Sequence, residues 1–354
     1  MSQSDEGDTV DLAEGIDHQV AMVMDLNKCI GCQTCTIACK TNWTEGGGRE
    51  YMYWNNVETK PGPGYPKDWE DMGGGWNESG EERTPGELPD EEEYGTPWDF
   101  NHEEIMYEGS DEPLRPMSDA ASWGPNWEED EGAGEYPNSY YFYLPRICNH
   151  CTHPSCVEAC PRSALYKREE DGIVLVDQDR CRGYRYCVEG CPYKKVYYNA
   201  MKKTSEKCIF CYPRIEGEGP DGEVRPPSCA ADCPPQLRLV GYLDDEEGPI
   251  HKLVNEYEVA VRLHPEYRTE PNVYYIPPFA PPQHSERGES LDAERIPRNY
   301  LEELFGPKVN EALNTIERER NKVERGEESE VMEMLTTEDT ADQYRLEVFD
   351  DAEE

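Results

Sequence analysis

The sequence predicts an α+β fold of two small cysteine-rich modules, one inserted in the other, with a long irregular insertion and a helical C-terminal tail. Three observations carry this expectation. All 15 cysteines fall into four short groups. Short apolar runs of strand length flank those groups, and a helix-period pattern is confined to the end of the chain.

In chain order, residues 1–17 are acidic and polar, the composition of a disordered lead. They show no basic n-region, apolar h-region or twin arginine, so no export signal is expected in them. Residues 20–26 (VAMVMDL) read as a strand running into the first cysteine group, Cys29-x2-Cys32-x2-Cys35-x3-Cys39. Residues 44–138 are rich in Gly, Pro, Trp and acids. They are expected to form an ordered irregular insertion that packs on a partner, the alternative being a solvated loop. A strand at 139–144 precedes the second group, Cys148-x2-Cys151-x4-Cys156-x3-Cys160. Another at 172–176 (GIVLV) precedes the third, Cys181-x5-Cys187-x3-Cys191, in which Tyr184 stands where the first group has its second cysteine. The fourth group is split into Cys208-x2-Cys211 and Cys229-x3-Cys233 and leads into a strand at 237–243 (LRLVGYL). After about residue 295, Val309, Leu313, Ile316 and Val323 recur near a 3.6-residue period, with Gly306-Pro307 and Gly326 dividing short helices.

The spacing is that of thiolates around iron–sulfur clusters. A C-x2-C-x2-C loop supplies three ligands from one turn. The fourth cysteine, three residues on, is expected to start a helix, face away and ligate the other cluster of a pair. A proline after Cys160, Cys191 and Cys233 fixes its own φ and removes an N–H at the bend. This crossover pairs the groups into ferredoxin-like modules. The outer one is split over 18–43 and 200–245, the inner one spans 139–199, and 246–354 is left as an extended segment and helical tail. The expected ligand sets are Cys29, Cys32, Cys35 and Cys233 for one 4Fe–4S cluster, and Cys39, Cys208, Cys211 and Cys229 for a second. Cys148, Cys151, Cys156 and Cys191 hold a third, while Cys160, Cys181 and Cys187 hold a 3Fe–4S cluster. Tyr184 is a poor fourth ligand there. Its ordinary pKa, about 10 against about 8.5 for cysteine, and its hard oxygen both disfavour iron in a sulfide cluster. His150 and His153 are expected to support ligands rather than to be them. Structural zinc prefers two separated cysteine pairs, and an odd cysteine total argues against a disulfide framework. The two classes left open are a redox-enzyme subunit and a structural zinc-binding protein, which a visible spectrum separates.

The formal charge of −42 comes from 76 acidic against 34 basic residues, with 36% hydrophobic content. That balance would suggest disorder, but 23 Tyr and 7 Trp argue for a folded chain whose repulsion is screened by high salt, as in a halophile. A nucleic-acid partner is excluded by sign. No run approaches the ~20 apolar residues of a membrane span, so any membrane attachment is expected through a partner. One stretch reverses the trend. Arg180, Arg182, Arg185, Lys194, Lys195, Lys202 and Lys203 face a lone Glu189, which reads as charge balance for an anionic cluster or as a docking surface. No Ser-His-Asp set, phosphate loop or acid–base pair is evident, so no catalytic residue is assigned.

The stretches MDLNKCIGCQTCT, RICNHCTHPSCVEACP, RCRGYRYCVEGCPYKK and EKCIFCYPRIEGEGP resemble the iron–sulfur (beta) subunits of the dimethyl sulfoxide reductase family of molybdenum oxidoreductases. Within that family the resemblance is strongest to the respiratory nitrate reductases of halophilic archaea. It implies a non-catalytic electron-transfer subunit. Its partners would be a molybdenum-cofactor alpha subunit reducing nitrate to nitrite and a membrane cytochrome b-type or Rieske-type electron donor. Beta subunits of dimethyl sulfide, selenate, chlorate and ethylbenzene enzymes look much alike. Bacterial nitrate reductases often carry Trp at the Tyr184 position, so Tyr points to this wider subgroup. The resemblance also implies that the 3Fe–4S cluster lies at the cytochrome end, and that the complex sits at the outer face of the membrane, exported with its alpha subunit, the cytoplasmic face being the alternative.

Overall fold

The apolar run at 20–26 forms β1 (Val20–Asp25), buried along its whole length. The computed structural model describes residues 15–95, 108–109, 132–218, 222–337, 339 and 343–346. Most of the polar lead expected at 1–17, and the middle of the 44–138 insertion, lie outside the described residues. After β1 come α1 (Thr34–Trp43), β2 (Asn56–Lys60), a 3-10 turn at Trp69–Asp71, α2 (Glu91–Tyr94) and β3 (Phe142–Arg146). The inner segment holds α3 (Ser155–Glu158), β4 (Leu165–Lys167), β5 (Val174–Val176), α4 (Tyr186–Gly190), β6 (Val196–Asn199) and β7 (Thr204–Lys207). Then follow α5 (Tyr212–Ile215), α6 (Ser228–Ala231), β8 (Arg238–Tyr242), α7 (Pro249–His251) with a wide turn at Lys252–Glu256, and β9 (Val261–Arg262). The chain continues through β10 (Val273–Ile276), β11 (Pro282–His284) and β12 (Ser290–Glu294) to α8 (Arg298–Phe305), α9 (Val309–Glu324) and α10 (Glu330–Thr336). The chain is thus α+β, with short helices and small sheets.

The largest sheet has the order β8-β1-β10-β9. β1 runs antiparallel to β8, with Met24 opposite Arg238, and parallel to β10, with Met22 opposite Val273. Alternation along β1 turns the sheet into a partition. Val20, Met22 and Met24 face the core that contains the cysteines. Ala21 and Val23 face a second core with Ile250, Leu253, Ile316, Val331 and Leu335. The expected strands at 20–26, 139–144, 172–176 and 237–243 therefore correspond to β1, β3, β5 and β8, each within a few residues. β10 lies in the stretch read only as extended. Its VYYI run is apolar and β-prone, and burial on both faces leaves no alternation to read.

Three expectations need correction. Several aromatics of the insertion pack within this chain, with Trp54, Tyr65, Trp69 and Trp76 all buried in it, whereas Tyr136 is exposed. What draws them in is β2, which pairs with β3 across the insertion, placing Asn56 opposite Arg146. Val323 is 48% exposed, because α9 has left the core by its last turns; Val309, Leu313 and Ile316 stay buried. The fourth cysteine of each group does not start a helix. The helix begins one residue before the third cysteine position in each group.

Candidate iron–sulfur centres

All four groups use the same local backbone. The second residue after the leading cysteine has positive φ in each: Gly31 (67°), His150 (44°), Gly183 (66°) and Phe210 (54°). That conformation folds the chain back so that both cysteines and the intervening amides face one side, a concavity suited to an anionic group. At Gly31 a Cβ would stand 2.6 Å from the Tyr143 ring, and at Gly183 2.6 Å from the Lys203 carbonyl oxygen, so only glycine fits these two turns. Gln33 (58°) and Arg185 (66°) then repeat a second positive φ before their helices. Cys35, Cys156, Cys187 and Cys229 each become the second residue of a short helix, α1, α3, α4 and α6. After three of the fourth cysteines, Cys-Pro enters a turn. The amides of Ser163, Lys194 and Gln236 donate to the carbonyls of Cys160, Cys191 and Cys233 at 3.1, 3.2 and 3.0 Å.

The thiols gather across the sequence. Cys29 is pushed up to about 12, first by burial and then by Cys35 and Cys233, while Cys233 in turn feels Cys35 and Cys32. Cys39 is raised by burial and by Cys208, Cys229 and Cys211. Those four line one small, largely enclosed cavity with Met22, Trp43, Trp54, Ile147 and Phe210. Cys156 is raised by burial, then by Cys191 and Cys148, with Cys151 adding less. Cys187 is raised to about 12 by burial, and by Cys160 and Cys181. Within each expected set, then, thiols distant in the chain act on one another. Neighbouring sets also touch. Cys229 feels Cys35, and among thiols Cys208 feels Cys148 most strongly. Cys156 lies in α3 and Cys160 two residues past its end. The order in space is thus a line, with exposed Cys32 at one end and Tyr184, 57% exposed, at the other.

Fifteen free thiols, all but Cys32 buried or half-buried, suit a group that needs many thiolates. Among the described residues no three His, Cys, Asp or Glu side chains could together hold one metal ion. A single tetrahedral zinc would ask for sulfurs only about 3.8 Å apart, whereas a cluster spreads them over several irons. Donors aimed at sulfur are already in place. The Trp43 Nε1–H donates to Cys211 Sγ at 3.1 Å, and the amides of Ser205 and Ala164 to Cys181 and Cys160 at 3.3 Å each. The Ser205 hydroxyl lies 3.3 Å from Cys187 Sγ. The residues fit iron–sulfur clusters.

Buried cations offset the thiolates. Lys167 is lowered to about 8 by burial, partly restored by Cys151; its Nζ donates to the Gly172 carbonyl and to Gln19 Oε1, both at 2.7 Å. Lys195 is lowered to about 7 by burial and by Arg146, with Glu58, Cys208 and Cys39 opposing. Lys194, next to Cys191, donates to the Glu189 carbonyl at 2.9 Å. Of the basic stretch, then, Lys194 and Lys195 serve local charge balance, whereas Arg180, Arg182, Arg185, Lys202 and Lys203 are exposed around Tyr184. A cleft lined by Tyr51, Leu88, Tyr94, Arg185 and Tyr198 among others contains no cysteine.

His150 is buried and held neutral by its burial and by nearby Lys207 and Lys167. Its Nδ1 accepts the Val174 amide at 3.0 Å, which leaves the proton on Nε2. His153 stacks on Trp76 at 4.1 Å. Both are thus engaged in structural contacts beside the second cysteine group. The sequence reading missed Trp43, Lys167, Lys207 and Arg238. Only Arg238 left a signal, as a lone charge at the head of the apolar run 237–243.

Residues 139–243 match the family described as a 4Fe-4S dicluster domain. The respiratory nitrate reductase subunit beta of Haloferax mediterranei is 77% identical over 352 residues, 99% of this chain and 100% of that protein. The dimethylsulfide dehydrogenase subunit beta of Rhodovulum sulfidophilum is 58% identical over 90% of this chain and 96% of its own length. The selenate reductase subunit beta of Thauera selenatis is 53% identical over 93% and 99%. Near-complete alignment at these identities, with the clustered thiols, settles the family. The chain belongs to the iron–sulfur beta subunits of the dimethyl sulfoxide reductase family of molybdenum oxidoreductases, non-catalytic subunits that transfer electrons.

Proposed function

We propose that this chain conducts electrons from a membrane cytochrome b-type or Rieske-type partner, fed by quinol, to a molybdenum alpha subunit that reduces nitrate to nitrite. Full-length identity of 77% to a nitrate reductase beta subunit, against 58% for the dimethylsulfide enzyme, carries the choice of substrate. Purifying the complex and assaying it on nitrate, chlorate, selenate and dimethyl sulfide tests it. Turnover of nitrate should dominate, and turnover of another of these alone would reassign the substrate. The chain itself contributes two ferredoxin-like modules, the inner at 139–199 and the outer split over 18–43 and 200–245.

When bound, the clusters supply one-electron redox chemistry. Cys29, Cys32, Cys35 and Cys233 hold the first 4Fe–4S cluster. The second rests on Cys39, Cys208, Cys211 and Cys229, and the third on Cys148, Cys151, Cys156 and Cys191. Cys160, Cys181 and Cys187 hold a 3Fe–4S cluster at the cytochrome end, among the exposed Tyr184, Tyr186 and Met201. Electrons then leave near Cys32 toward the alpha subunit.

Tyr184 occupies the turn position of Cys32: Gly-Tyr-Arg at 183–185 repeats the two positive φ values of Gly-Cys-Gln at 31–33. A cysteine there would point where Cys32 points. Tyr184→Cys is therefore expected to convert the 3Fe–4S centre to 4Fe–4S. The oxidised-state electron paramagnetic resonance signal of the three-iron centre would be lost and one iron gained per chain. A wild-type complex without that signal, carrying four full cubanes by iron analysis, would remove the assignment. The complex is placed at the outer membrane face through its partners. Protease added to intact cells should cleave it, and full protection would move it to the cytoplasmic face.

A further inference from the structure

Arg238 opens β8 and is fully buried. Its Nη2 donates to Asn55 Oδ1 at 2.8 Å, while Nε and Nη1 have no hydrogen-bond partner. Asn55 is itself buried, and its Nδ2 reaches Thr36 Oγ1 at 3.4 Å, which holds the amide oxygen toward the guanidinium. The groups that act most on Arg238 are thiols: Cys229 first, then Cys35, Cys233 and Cys29. Three of these belong to the first set and one to the second. Lys195, Lys194 and Lys207 differ, because their ammonium groups are satisfied by backbone or amide oxygens. A guanidinium carries its charge at every accessible pH. Buried, and within side-chain hydrogen-bonding reach of Cys229, it has sulfur as its counter-charge.

We propose that Arg238 is a positioning cation shared by the first and second clusters, which raises the reduction potentials of both and so sets the last electron step toward the alpha subunit. The inference rests on the ligand sets proposed above. Reduction adds one negative charge to a cluster. A fixed positive charge nearby, poorly screened in a buried site, stabilises the reduced form, and hydrogen bonds to sulfur act in the same direction. The third and fourth sets include no thiol among those acting most on Arg238, so their potentials serve as an internal reference.

The test is a redox titration of the intact complex, poised with dithionite and read by electron paramagnetic resonance. Arg238→Gln should lower the potentials of two clusters by at least a tenfold change in occupancy, about 59 mV for a one-electron couple. The other two should stay in place. Arg238→Lys, which keeps the charge, should recover most of the shift. Asn55→Asp is nearly isosteric; by setting a carboxylate against the guanidinium it should lower the same two potentials. It decides the matter if Arg238→Gln does not assemble. Unchanged potentials in Asn55→Asp with all clusters present, or an equal shift in all four, would overturn the proposal. A wild-type complex lacking three 4Fe–4S signals and one 3Fe–4S signal would instead overturn the ligand sets, so the two failures are distinct.

Discussion

Arg146→Met is expected to lower stability by about 3–5 kcal/mol, the usual cost of stranding one partner of a buried ion pair. Arg146 is 1% exposed and its Nε donates to Glu58 Oε1 at 2.6 Å. Its Nη1 and Nη2 donate to the carbonyls of Tyr193 and Tyr65 at 2.9 and 2.8 Å, and the guanidinium lies 3.7 Å over the Trp69 ring. Glu58 is as buried and also accepts from the Tyr65 amide and Trp69 Nε1 at 3.0 and 3.2 Å. Burial raises its pKa, but Arg146 and then Lys60 outweigh this and hold it below its ordinary 4.5. In the native chain Glu58 thus contributes stability that is present above 4.5 and lost as pH falls through its depressed value. Without Arg146, burial moves that pKa up, and the penalty applies where the carboxylate is charged. The deficit of Arg146→Met should therefore be full where Glu58 is charged in both chains and shrink as pH falls from its raised pKa in the variant to its depressed pKa in the native chain. Denaturant midpoints of the two chains across that range provide the measurement, with Arg146→Met/Glu58→Met as the control that recovers most of the loss. A deficit under about 1 kcal/mol would show that neutral donors alone hold Glu58.

Lowering salt from molar concentrations to about 0.1 M lengthens the screening distance from about 3 to about 10 Å, and is expected to loosen the fold and release the clusters. Among the described residues the buried acids are Asp25, Glu58, Asp171, Glu206, Asp245 and Glu319, matched in number by buried Lys60, Arg146, Lys194, Lys195, Lys207 and Arg238. Buried carboxylates thus do not outnumber buried cations among the described residues, and the acidic excess in the net −42 is not held there. Surface pairs such as Lys252–Glu330 at 2.6 Å strengthen at low salt, but each is worth only about 0–1 kcal/mol. The unpaired carboxylates decide the direction. Near-ultraviolet dichroism and visible cluster absorbance should fall together during dialysis; full retention of both would mean that the acidic surface is not an adaptation to salt.

The cysteine spacing carried most of the site. Thiolate geometry is local within a short cysteine turn, so the turns and the odd position of Tyr184 were legible in the chain itself. The positive-φ residue of each turn is glycine at Gly31 and Gly183, whereas His150 and Phe210 adopt it without being glycine. The strands at 20–26 and 237–243 were legible because whole apolar runs are needed to bury a strand on both faces. What the sequence did not carry was long-range. The pairing of β2 with β3 and the insertion of β10 beside β1 depend on contacts between segments about 80 to 250 residues apart, which no window of hydrophobicity can show. The same holds for charge. Arg146 finds Glu58, and Arg238 finds Cys229 and Cys35, only after the sheets assemble, because a charge inside the core acts through what it faces and not through its place in the chain.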